Sequence, residues 1–185
     1  GSLPVPGRDE EIPMRRFILV SVFVLSGCTG IPEGIEPVDN FELEPYLGTW
    51  YEIARLDHSF ERGLSNVTAN YSLREDGGVD VLNRGYSTRK SRWEEAEGKA
   101  YFIGDPSVGR LKVSFFGPFY GAYNVFELGE NYEYSMVAGP DRSYLWILAR
   151  EARLPQAMLD ELLSKAEAAG YDTSELILVE HELAP

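Results

Sequence analysis

Covalent chemistry has few footholds in this chain of 185 residues, which holds one cysteine and two histidines. A single thiol closes no internal disulfide and builds no thiolate zinc cage, and two imidazoles leave little for a histidine-based metal site. Asp57, His58 and Ser59 are the residue types of a nucleophilic triad. Sequence neighbours rarely assemble that geometry, so His58 is expected to be an exposed loop side chain. No catalytic residue, metal ligand or cofactor site follows. The polar groups with a claim on an interior role are Asn83 and Glu52, which stand in otherwise apolar strand patterns. A buried amide needs a partner, and Tyr71, water or a ligand headgroup would serve Asn83.

Composition narrows the classes further. Thirty acidic against 17 basic side chains give a net charge of −13, a field that repels a phosphate backbone, so nucleic acid is not an expected partner. Hydrophobic residues make up 44% of the chain, too many for a disordered one, and the length suits a single domain. The only cysteine falls in an N-terminal leader: Met14, then Arg15-Arg16, then the apolar run Phe17 to Leu25, then Ser26-Gly27-Cys28. That run is far shorter than the ~20 apolar residues of a spanning helix, so cleavage is the expectation. Leu25-Ser26-Gly27-Cys28 resembles the lipobox of bacterial lipoproteins, which implies that Cys28 is acylated and becomes the mature N-terminus. Thr29 after the cysteine, where an Asp would retain the protein elsewhere, resembles the sorting signal for the outer membrane. Residues 1–13 then read as an upstream extension or cloning remnant, 14–27 as a signal peptide, 28–40 as a lipidated tether and 41–185 as the domain.

Within the domain, short aromatic and β-branched runs alternate with turn clusters such as Asp76-Gly77-Gly78, Gly104-Asp105-Pro106 and Gly139-Pro140-Asp141. The cleanest alternation puts Val67, Ala69, Tyr71 and Leu73 on one face, with polar residues between them. Eight strands are expected, near 50–56, 66–73, 79–86, 93–103, 110–116, 120–128, 133–138 and 144–150. In that order they can close up-and-down into an antiparallel β-barrel, although alternation alone leaves a sandwich open. Ala69, Ala96, Gly98 and Ala100 on the inward parity would leave room inside. After Pro155, the residues Met158, Leu159, Leu162, Leu163 and Ala166 recur at helical spacing up to Gly170, and Leu176 to Val179 would form a short last strand. The fold class is therefore all-β with one helix.

Two landmarks carry a resemblance. Gly48-Thr49-Trp50 is similar to the Gly-x-Trp signature of lipocalins, and Tyr144 to Arg150 resembles their last barrel strand with its terminal arginine. Gly98 to Phe102 and Phe115 to Gly121 extend the likeness, most of all to the family's bacterial outer-membrane lipoproteins and more distantly to its apolipoprotein D branch. The resemblance implies that Gly48, Trp50 and Arg150 are structural, with the arginine lying across the tryptophan. It also implies a fatty acid or lysophospholipid as ligand, a membrane partner through the N-terminal lipid, and a capacity to pair as a homodimer. Tyr71, Asn83 and Trp146 match the apolipoprotein D pocket; Ala100, Phe115, Phe126, Met136 and Tyr144 join them from strand parity, although any single aromatic among these suits plain core equally well. One departure is clear: Gly129-Glu130-Asn131-Tyr132-Glu133-Tyr134 keeps only part of the family's Thr-Asp-Tyr-x-x-Tyr motif. The competing expectations are an envelope enzyme acting on a lipophilic substrate and a structural lipoprotein with a filled barrel.

Overall fold

The alternation from Asn66 to Leu73 becomes a register: Ala69, Tyr71 and Leu73 pair with Asn83, Val81 and Val79 across an antiparallel ladder. A computed structural model describes residues 29–182; the leader and Cys28 lie outside the described residues. The strands are β1 (Gly48–Leu56), β2 (Leu64–Leu73), β3 (Val79–Ser87), β4 (Arg92–Phe102), β5 (Arg110–Phe116), β6 (Phe119–Leu128), β7 (Tyr134–Ala138) and β8 (Leu145–Ala149). Each pairs with the next, and β1 pairs with both β2 and β8, which closes the sheet into a barrel. A ninth strand, β9 (Leu176–Leu178), takes the edge of β1 where β2 has turned away, so those backbone groups are not left open.

One end of the barrel is sealed. The Trp50 ring is fully buried and donates from Nε1 to the Tyr46 carbonyl at 2.8 Å. Arg150 lies over it with Cζ 3.8 Å from the ring centroid, and its guanidinium donates to the carbonyls of Thr49, Pro45 and Leu47. Gly48 sits at φ 91°, against the Arg150 side chain, a conformation that a Cβ would strain. A short helix, α1 (Leu43–Tyr46), which strand alternation does not reveal, brings the Tyr46 ring in over this floor.

The wall has two cores. Inside, Trp50, Tyr71, Val79, Val81, Ala100, Leu111, Val125, Val137 and Leu148 pack together. Outside, Ile53, Ala54, Met136, Ala138, Leu145 and Ile147 pack under the second helix, α2 (Gln156–Ala168), through Leu162 and Ala166. The expectation that Phe126 and Met136 point inward is corrected here. Met136 stands between the inward Ser135 and Val137. Phe126 is the extra residue of a β-bulge, where Val125 pairs with Val137 but Glu127 with Met136, and its ring stacks on Tyr171 at 6.1 Å. Residues 29–40 also differ from the tether expected of them: Ile35 is buried, and Val38 exchanges backbone hydrogen bonds with Val125 and Gly109.

Because Arg150 joins an aromatic face to three carbonyls, Arg150→Ala should lower the unfolding free energy by about 2 kcal/mol in a urea titration, and Arg150→Lys should recover only part of it, since one ammonium cannot span that fork.

Candidate ligand-binding site

Since β1 starts at the floor and successive strands run antiparallel, the loops β1–β2, β3–β4, β5–β6 and β7–β8 all gather at the opposite end. The inward residues of the strands differ in exposure. Ala69, Asn83, Ala96, Gly98, Val113, Phe115 and Trp146 face the interior yet keep solvent contact, whereas Tyr71, Val79, Val81, Ala100 and Leu148 are buried. Solvent contact therefore changes even between directly paired inward positions, Gly98 with Val81 and Val113 with Ala100. Small residues do not simply leave empty space: a Cβ on Gly98 would come within 2.8 Å of the Phe115 ring, so that ring takes up the room the glycine yields.

A cluster of ionisable groups lies within the mouth half. Alternation would turn Arg55 outward, but the β1–β8 register slips between Glu52 and Ala54, so Ile53 and Ala54 both join the outer core and Glu52 and Arg55 both point in. Arg55 Nη1 donates to Glu52 Oε1 at 2.7 Å, and Nη2 donates to the carbonyls of Glu61 and Leu64. Glu61, from the β1–β2 loop, accepts from Trp146 Nε1 at 2.9 Å and lies 2.7 Å from His58 Nε2. The two carboxyl groups also hydrogen-bond to each other. Burial and the neighbouring Glu61 charge push the Glu52 carboxyl well above its ordinary range, against the pull of Arg55. For Glu61 burial is likewise the largest influence, but His58, Trp146 and Glu52 together outweigh it and hold the carboxyl below the usual value. Of the two, Glu52 therefore holds a proton more tightly than Glu61. The sharing of one proton removes the cost of burying a second bare charge beside Arg55.

Below this cluster runs a chain of hydroxyls. Tyr71 and Tyr123 meet at 2.9 Å, Tyr123 and Tyr46 at 2.8 Å, and Tyr46 reaches Ser135 at 2.8 Å. Burial pushes Tyr46 up to about 12 and raises Tyr71 and Tyr123, so all three stay neutral.

Of the residues expected to line a site, Tyr71, Asn83, Ala100, Phe115 and Trp146 face the interior, and Tyr144 stacks on Trp146 at the mouth with ring centroids 6.0 Å apart. Asn83 Oδ1 is buried and accepts no hydrogen bond. Phe126 and Met136 stand outside, as described. His58 is not the exposed loop residue expected: it retains 7% of its surface, held between Glu61 and the rings of Trp146 and Tyr144. Arg55, Glu61, Tyr123 and Ser135 belong to the interior without having been singled out from sequence. One signal was available, since Glu52-x-x-Arg55 puts opposite charges into a run otherwise made for burial. Among the described residues no group of His, Cys, Asp and Glu is arranged to hold a metal ion.

Comparisons with known proteins agree with this architecture. The family model described as Lipocalin-like domain matches residues 41–181. The Outer membrane lipoprotein Blc of Vibrio cholerae is 55% identical over 90% of this chain and 98% of its own length. That of Escherichia coli K12 is 51% identical over 86% and 92%, and apolipoprotein D of Macaca fascicularis 31% identical over 91% and 97%. Among solved structures, insecticyanin from Manduca sexta superposes with a TM-score of 0.66 at 21% identity, covering 82% of this chain and 86% of that one, a likeness of fold.

The proton on Glu52 fixes the sign of a pH effect. A carboxyl raised in the folded state contributes stability below its unfolded pKa of about 4.3 that is lost as pH climbs through the folded value. Glu52→Gln should therefore flatten the fall of the urea midpoint on the alkaline side of the profile. Glu61, lowered, contributes stability lost on acidification, so Glu61→Gln should flatten the acid side.

Proposed function

Given that this chain belongs to the lipocalin-like domain family, we propose that it is an outer-membrane lipoprotein whose barrel carries a fatty acid or lysophospholipid. The observation that carries this reading is a barrel interior that is apolar, closed at one end by Trp50 and Arg150, and carries the unpaired Asn83 Oδ1. An acyl chain entering it would leave water along Phe115, Val113 and Ala100 toward Tyr71. About twelve buried methylenes at ~0.8 kcal/mol each contribute about 10 kcal/mol gross, enough for micromolar affinity after the ligand's lost freedom is subtracted. The polar end of the ligand would stay at the mouth, within reach of the unpaired Asn83 Oδ1 and the buried His58 Nδ1, which likewise makes no hydrogen bond. Support for the location comes from the relatives named outer membrane lipoprotein and from the lipobox resemblance at Cys28.

Displacement of a fluorescent fatty acid from the folded chain should be saturable in the micromolar range. Gly98→Val, which crowds the Phe115 ring, should weaken it about tenfold, in keeping with an overpacking cost of 1–3 kcal/mol. Absence of saturable binding by any acyl ligand overturns the carrier reading. Metabolic labelling with a radioactive fatty acid should mark the wild-type protein and not Cys28→Ser; equal labelling of both would overturn the anchor.

A further inference from the structure

The three most exposed large apolar side chains among the described residues are phenylalanines, and all three stand at the mouth. Phe60, in the β1–β2 loop, is 73% exposed, and Phe116 and Phe119, which flank the β5–β6 turn, are 75% and 77% exposed. Scattered apolar residues on a surface need no account, but three phenyl rings on two loops of one rim are a patch. Between those loops around the barrel lies the β3–β4 hairpin, whose tip carries Arg89, Lys90 and Arg92; Glu94 pairs with Lys90 and Arg92, and Glu95 with Arg84. One residue pair further from the tip, Tyr86 and Trp93 meet edge to face at 5.6 Å, and the Arg84 guanidinium covers the indole at 4.2 Å.

Apolar tips, a tyrosine–tryptophan collar and cations at the same level form the composition that partitions into a bilayer interface. The other end of the barrel has the opposite character. Its turns carry Glu75, Asp76, Asp105, Glu130 and Glu133, with Arg74 committed to Asp76 and Asp80. In a chain of net −13, this separation turns the floor away from an anionic surface and the β3–β4 quadrant toward it. The N-terminal segment agrees: Gly30 lies beside the Pro140 carbonyl and accepts from Asn124 Nδ2, next to the β7–β8 turn, which is also at the mouth.

From these placements we propose that the barrel docks mouth first on an anionic lipid bilayer, with Phe60, Phe116 and Phe119 in the interface and Arg89, Lys90 and Arg92 against the headgroups. The mouth then opens onto the leaflet, and a ligand passes between membrane and barrel without crossing bulk water. The docking is independent of the carrier reading, because it requires nothing to be bound inside.

The test uses the mature chain from residue 28 carrying Cys28→Ala, so that neither an acyl anchor nor the apolar leader contributes. It should sediment with vesicles of phosphatidylethanolamine and phosphatidylglycerol (3:1), and less as salt is raised. Phe116→Ser with Phe119→Ser, and separately Arg89→Glu with Lys90→Glu, should each weaken this at least tenfold while the thermal midpoint and fatty-acid displacement stay unchanged. Wild-type binding that is absent, or equal in both double variants, overturns the proposal, as does a concentration-dependent dimer that the phenylalanine variant abolishes without vesicle binding, since the rim would then be a contact between two copies. Loss of fatty-acid binding with docking intact would instead count against the carrier reading alone.

Discussion

The stacking of Arg150 on Trp50 is the contact on which the sidedness of this molecule depends. Closure of the sheet through β1 makes an inside and an outside, but a tube open at both ends would hold only water. The guanidinium covers the indole and satisfies three carbonyls of the segment that crosses the barrel's end. One long side chain thereby performs the work of a plug and a clamp. Behind it Tyr46 ties the floor to the far wall through Tyr123 and Ser135, so the dry half of the interior is held by aromatic packing and by hydroxyls that find partners among themselves.

The mouth half is constructed from costlier material. An arginine that retains 1% of its surface, two carboxyl groups and an imidazole share the interior on that side. Replacing such a cluster with packed apolar residues is often neutral or stabilising elsewhere, so stability alone does not account for it. What it does accomplish is local: Arg55 gathers the carbonyls of Glu61 and Leu64, and Glu61 holds Trp146 and His58. The β1–β2 loop is thus fastened to β8, the neighbour of β1, by ionic and hydrogen-bonded contacts, which respond to protons where hydrocarbon packing does not.

Much of this was legible in the chain. Period-two alternation announced the strands, their turns and their inward faces near Tyr71, Asn83 and Ala100, and the helix after Pro155 followed from its own spacing. Parity failed where a bulge added a residue. At Ile53 the slip turned Arg55 inward, and at Phe126 it left an aromatic outside beneath α2. Periodicity carries no record of such a slip, because it depends on how two strands are paired. His58 and residues 29–40 escaped for another reason. Their burial is supplied by distant partners, Trp146 and Tyr144 in one case and Val125 in the other, and a turn-rich sequence does not disclose who will cover it.

The outer core under α2 rests on β1, β6, β7 and β8 only. The opposite flank, β2 to β5, meets solvent directly through Asn70, Ser72, Asp80, Leu82, Glu97 and Lys99. That flank also contains the smallest inward residues, Ala69, Ala96 and Gly98. A vessel braced along one side yields along the other, so a bulkier guest would be accommodated by a bowing of the unbraced strands. Tolerance for girth therefore resides in the half of the wall that no helix supports.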